Sequence, residues 1–130
     1  MELGCLLNYH GESYFEASLG EPMSCIIGGF HANYHTNKQN YAHDMGTKAG
    51  GNVLILGGCG PMGLGAVSYA LTMDHKPKRL VITDISHEKI KRAKEVISEE
   101  TAAEKGIELI YVNTATMKDS VSESKELTED

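Results

Sequence analysis

The sequence predicts an α/β fold, the βαβαβ half of a doubly wound parallel sheet, and three observations carry that prediction. Val53-Leu54-Ile55-Leu56 is a short apolar run of the kind a buried strand requires. It leads into glycines spaced G-x-G-x-x-G at Gly58, Gly60 and Gly63. Leu80-Val81-Ile82-Thr83-Asp84 is a second apolar run, closed by an acid. Strand, glycine turn, helix and acid-tipped strand, in that order, are the parts of a Rossmann-type dinucleotide-binding unit.

Along the chain, Met1 to Gly20 mixes Leu6, Leu7, Tyr9, Tyr14 and Phe15 with glycine and polar residues, which predicts strands or loops rather than a long helix. Glu21-Pro22 predicts a helix start, because proline is preorganised for the first turn and an acid there complements the helix dipole. Met23, Ile26, Ile27, Phe30 and Tyr34 recur at helical spacing and give that helix one buried face. Polar Thr36 to Gly51 reads as a connecting loop carrying at most a short turn of helix. From Asn52 the pattern alternates strand and helix. A helix over Met62–Met73 is apolar nearly all round, as burial between a sheet and a neighbour demands. Ser86 caps a second helix with a stripe of Ile90, Ala93 and Ile97, Gly106 ends it, and Ile107 to Val112 forms a third strand. Lys118 to Asp130 is charged and serine-rich, either an exposed helix or a frayed end.

Each part of the glycine motif has a physical task. Gly58 makes the tight turn off the strand, Gly60 removes a side chain where backbone approaches a pyrophosphate, and Gly63 lets the next helix sit close on the sheet. Pro61 and Met62 open that helix, whose N-terminus faces the phosphates. Asp84 follows Gly63 by about 20 residues, the separation at which a carboxylate accepts from an adenosine ribose 2′-hydroxyl and repels a 2′-phosphate. NAD is therefore expected over NADP. Three other readings stand beside this one: a glycine-rich turn in some other α/β domain, an S-adenosylmethionine-dependent methyltransferase-like domain, and a non-catalytic dinucleotide-binding module. Against the methyl donor, Pro61 starts a helix aimed at a diphosphate, a group that donor lacks.

Composition bounds the function. The 130 residues suffice for about one domain, and hydrophobic (41%) and charged (23%) fractions are ordinary for a soluble globular protein. No apolar stretch is long enough to span a membrane, and no secretory signal opens the chain. A net charge of −6 without a basic cluster argues against nucleic acid. Cys5, Cys25 and Cys59 form no C-x-x-C pair, which predicts reduced thiols and a cytoplasmic location.

Glu21-Pro22-Met23-Ser24-Cys25, followed about 30 residues later by the Val53–Gly63 strand and glycine turn, resembles the zinc-dependent medium-chain alcohol and polyol dehydrogenases. The nearest likeness is to the sorbitol, threonine and sorbose-phosphate reductase branch. The resemblance runs from Glu21 to about Met117. It implies an oxidoreductase that passes hydride between NAD(P) and a secondary alcohol or ketone, sugar phosphates included. It implies that residues 1–20 end a GroES-like catalytic domain, 21–51 link it onward, 52–117 are part of the NAD-binding Rossmann domain and 118–130 are a charged tail. Glu21 then matches a ligand or near-ligand of the catalytic zinc, and Lys89 assists Asp84 at the ribose.

Departures from that family are equally specific. Its other zinc ligands, a cysteine and a His-Glu pair, and its four-cysteine structural zinc lobe have no counterpart here, and one glutamate cannot hold catalytic zinc. A third strand closes the pattern where this fold has six. The chain is thus expected to be an internal fragment, inactive in hydride transfer by itself, with zinc belonging to the full-length enzyme, itself a homo-oligomer. An open sheet edge is expected to favour self-association. His31 and His35, four apart on the predicted helix, would share a face and permit metal binding only with a third ligand. Cys59 is expected to be a small packing residue in the glycine loop, and adjacent His43 and Asp44 take no catalytic role.

Overall fold

A computed structural model describes residues 8–37 and 39–128. Two helices come first, α1 (Tyr14–Ala17) and α2 (Gly20–Ala32), then strands β1 (Tyr34–Thr36) and β2 (His43–Met45). The βαβ region comprises β3 (Asn52–Ile55), α3 (Pro61–Ala70), β4 (Arg79–Asp84), α4 (His87–Val96), α5 (Glu99–Glu104) and β5 (Glu108–Asn113). A 3-10 turn (Thr114–Thr116) then leads into α6 (Ser120–Thr128).

The apolar runs of β3, β4 and β5 pair in parallel in the order β3-β4-β5, with Val53 opposite Leu80 and Leu80 opposite Leu109. Side chains alternate across a strand, so this register sorts them into two layers. Val53, Ile55, Leu80, Ile82, Leu109 and Tyr111 pack with Val67, Ala70 and Leu71 of the α3 region and with Ile90 and Ala93 of α4. Each fully buried aliphatic side chain contributes roughly 1.5–3 kcal/mol, so this layer is the main source of stability. Helix α2 packs on α3, where a Cβ at Gly65 would lie 2.7 Å from Ile26 Cδ1.

α6 packs against β3 and β4 and buries Ser124. Asp119 starts it by accepting from the N–H groups of Val121 and Ser122. Its end is tied to the first residues of two strands: Asn52 Nδ2 donates to Thr128 O at 2.8 Å, and an Arg79 Nη1–H donates to Leu127 O at 3.1 Å. Central β4 is buried from Leu80 to Asp84, whereas β3 is only half-buried throughout. No strand among the described residues pairs with β3 on its outer edge.

Several expectations are corrected. Thr36–Gly51 is no plain loop: β1 and β2 form an antiparallel hairpin in which the Tyr34 and His43 rings stack with centroids 4.5 Å apart. α2 ends at Ala32 because Asn33 turns extended (ψ 159°) and its side chain accepts the Tyr34 N–H. His35 and Tyr34 therefore lie on a strand, and the helical face predicted for His31 and His35 does not exist. α3 stops at Ala70 rather than Met73. The helix after Ser86 breaks at Ile97, because Ser98 caps a new one by accepting from the Thr101 N–H. Gly106 ends that second helix with φ +78°, as predicted. Residues 120–128 form a helix seated on the sheet, so the frayed alternative fails there. Cys5 lies outside the described residues.

Tyr111 predicts a pH dependence. Its hydroxyl donates to Ile97 O at 2.9 Å, bracing the break between α4 and α5. Burial, followed by the neighbouring Cys59 and Glu99, pushes its pKa up to about 12 from an ordinary value of about 10. The folded state holds this proton more tightly than the unfolded chain does. The resulting stability is fully present below about pH 10 and falls as pH rises toward 12, by about 2 kcal/mol in all. Denaturant titrations of wild type and Tyr111→Phe should show the wild type losing that increment while the variant does not. At neutral pH the variant should be weaker by about 1 kcal/mol.

The open edge of β3 predicts a second result. No described strand covers the outer edge of half-buried β3, and such an edge templates another chain, so sedimentation velocity should show association that grows with concentration. A monomer at every concentration would contradict it.

Candidate functional site

The site is assembled where β3 and β4 release the chain at their carboxyl ends, the position at which open parallel sheets bind ligands. Gly57, not Gly58, takes the left-handed turn off β3, with φ +65°. That corrects the task assigned to Gly58, which is needed for a different reason. A Cβ there would meet Ile82 Cγ2 at 2.6 Å and Ile55 Cγ2 at 2.9 Å, so any side chain would strike the core. Its N–H donates to Thr83 O at 2.9 Å and stitches the loop to the end of β4.

Gly63 allows a close helix approach, against the loop backbone rather than the sheet itself. A Cβ at this position would lie 2.2 Å from Gly58 O and 2.4 Å from Gly58 Cα, so α3 is pressed backbone to backbone against the loop. Gly60 is the opposite case, with no heavy atom within 4 Å of a hypothetical Cβ. That open space adjoins the start of α3, where Gly60 is the N-cap, Pro61 begins the helix, and no side chain caps the end. First-turn N–H groups lack intrahelical acceptors, so those after Pro61 are free to face an anion. Met62, also in this turn, is exposed.

Asp84 ends β4 and is 7% exposed. Its Oδ1 accepts the Ser86 N–H at 3.0 Å, and Ser86 Oγ accepts the Lys89 N–H at 3.3 Å. Lys89 thus stands in the first turn of α4, within electrostatic reach of the loop. The Cys59 thiol is buried and its pKa raised, first by that burial and then by Asp84, with Lys89 opposing. Such a thiol packs rather than attacks, as expected. Gly58, Cys59, Asp84 and Lys89 therefore converge. Beside them a largely apolar cavity of about 590 Å³ opens between the sheet and α6, lined by Leu56, Gly57, Asp84, Ile85, Thr114 and Val121 among others. A loop open at Gly60, an uncapped helix end, a buried carboxylate and an apolar slot thus lie side by side, a set able to take an anionic group at the turn and a hydrogen-bond donor at the acid.

The slot's α6 wall was not anticipated. Val121, Ser124 and Thr128 do recur at helical spacing, a signal present within the serine-rich tail. The orienting contact of Ser86 on Asp84 was also missed, although its capping of α4 was not.

Other candidates lie elsewhere. Glu21 is exposed in the first turn of α2, where Oε1 accepts from Cys25 Sγ at 3.1 Å. This contact pushes the Cys25 thiol pKa up. His31 Nε2 is 3.5 Å from the Tyr69 hydroxyl, and His35 Nδ1 lies 3.2 Å from Gly46 O. Among the described residues, no three His, Cys, Asp or Glu side chains converge to hold a metal ion. No described helix is long and apolar enough to cross a membrane.

Comparison with known proteins adds a chemical context. The chain is 51% identical over 130 residues to a mannitol-1-phosphate 5-dehydrogenase of Aliivibrio fischeri, covering all of this chain and 31% of that protein. It is 48% identical over 130 residues to the uncharacterized protein YggP of Escherichia coli, again 31% of that protein. Over 94 residues it is 49% identical to an L-sorbose 1-phosphate reductase of Klebsiella pneumoniae, covering 72% of this chain and 23% of the relative. The chain thus spans less than a third of the length of these relatives. No protein-family model and no solved structure matches it. Two of these relatives are named as a mannitol-1-phosphate dehydrogenase and an L-sorbose 1-phosphate reductase, and those names do not speak to zinc.

The contact at Gly63 yields a direct prediction. Gly63→Ala must push α3 off the loop, so the unfolding midpoint should fall by the equivalent of about 1–3 kcal/mol or more. Gly60→Ala, with open space at Cβ and φ −86°, should leave that midpoint nearly unchanged.

Proposed function

We propose that this chain is the NAD-binding portion of a zinc-dependent polyol or sugar-phosphate dehydrogenase that moves hydride between the cofactor and a secondary alcohol or ketone. The observation that carries this reading is the pinch of Gly63 against Gly58, beside open space at Gly60 and a buried carboxylate at Asp84. The relatives' names supply the substrate class. NAD, when bound, supplies hydride exchange at its nicotinamide. The chain's own residues bind and orient its other half: Gly58, Gly60, Pro61, Met62 and Gly63 at the diphosphate, Asp84 and Lys89 at the adenosine ribose. Asp84 makes NADP the poorer ligand, since its carboxylate would face a 2′-phosphate.

In this reading zinc belongs to the whole enzyme, a cytoplasmic homo-oligomer, and Glu21 is the position that matches one ligand. Residues 1–20 would end a GroES-like catalytic domain. The donors that the described residues bring together do not make a zinc site, so this chain accounts for the cofactor grip and not for the polarisation of substrate. A non-catalytic dinucleotide-binding module is the second reading, favoured by that same donor set.

Calorimetric titration of the chain with NADH, NADPH and S-adenosylmethionine tests the assignment. NADH should bind best, and Asp84→Ala should weaken it by roughly ten- to a hundredfold, the loss of a charged hydrogen-bond acceptor. Gly60→Val should block the diphosphate and weaken NADH and NADPH alike. Binding of S-adenosylmethionine alone, or NADH affinity indifferent to Asp84→Ala, would overturn the reading.

A further inference from the structure

We propose that Ser86 is a positioning residue for the ribose grip, holding the Asp84 carboxylate in the plane in which it meets the 2′-hydroxyl. This rests on the reading of Asp84 as the ribose acceptor. An aspartate's terminal torsion is broad, so only hydrogen bonds fix the plane of its carboxylate. The Ser86 N–H holds Oδ1 at 3.0 Å, and no other described residue hydrogen-bonds this carboxylate. Oδ2 is therefore left for a ligand, and the Ser86 N–H determines where it points.

What fixes Ser86 is α4. Its Oγ accepts the Lys89 N–H at 3.3 Å, and its carbonyl accepts the Ile90 N–H at 3.1 Å. Ile90 and Ala93 anchor α4 in the core. An unbroken path runs from the core through the first turn of α4 to Ser86 and on to the carboxylate. Without Oγ, the Lys89 N–H loses its acceptor, the first turn loosens, and the Ser86 N–H drifts from Oδ1. The same serine thereby sets the position of Lys89 relative to Asp84.

The test compares binding of NADH with that of the NADH analogue lacking the adenosine-ribose 2′-hydroxyl. Wild type should prefer NADH. Ser86→Ala should reduce that preference by about three- to tenfold, while Ser86→Thr, which retains the capping hydroxyl, should restore it. Thermal stability will fall in Ser86→Ala under either a capping or a positioning role, so it does not decide the matter. If Ser86→Ala loses stability but keeps the full preference, Ser86 is only a cap and the inference is wrong. If wild type shows no preference and Asp84→Ala changes nothing, the ribose role of Asp84 itself has failed. Amide exchange gives a reading without ligand: Ser86→Ala should accelerate exchange at Lys89 and at residue 86 itself, whereas an unchanged rate at residue 86 would break the proposed path.

Discussion

Everything at the candidate site depends on one contact, the approach of the α3 backbone to the glycine loop. With a hypothetical Cβ of Gly63 only 2.2 Å from Gly58 O, the helix cannot retreat or rotate without opening the core layer below it. That approach sets where the uncapped first turn points and brings Val67 and Ala70 down onto Leu80 and Ile82. The Gly58 N–H to Thr83 O bond carries the constraint across to β4, whose last residue is Asp84. The glycine turn and Asp84 are thus positioned by the same backbone rather than by two separate loops. Side-chain chemistry enters only at the rim, in Asp84, Ser86 and Lys89.

The parts legible in the sequence are those whose signals are local. Apolar runs gave β3, β4 and β5; Pro61, Ser86 and Gly106 marked helix ends through their own conformational preferences. Asp84 comes beside the Gly57–Cys59 turn because their spacing is set by one βαβ unit. Elsewhere the deciding interactions join residues apart in sequence. The hairpin of Tyr34–Thr36 with His43–Met45 rests on ring stacking between Tyr34 and His43, which no periodicity announces in a polar stretch. Two capping serines competed between Ser86 and Gly106, and Ser98 won a helix of its own. The left-handed turn fell on Gly57 because Gly58 was already required to spare Ile55 and Ile82. α6 was obscured by its charged composition, although Asn52 and Arg79 hold its end against the sheet.

The three-stranded sheet also explains the division of labour in the proposal. A site at the carboxyl ends of β3 and β4 can hold phosphates and one ribose. The described residues supply no cluster of metal ligands and no strand on the far side of β3, and the relatives are more than three times as long. The proposal therefore assigns this chain the cofactor grip and leaves the reaction chemistry to the whole enzyme.

The most direct measurement of the central claim is amide chemical-shift mapping of the labelled chain as NADH is added. Shifts concentrated at Gly57 to Gly63 and at Asp84 to Lys89 are the predicted result, since these amides would touch diphosphate and ribose. Shifts centred instead on the Tyr34–Met45 hairpin or the Glu21 turn, with the glycine loop silent, would contradict the account.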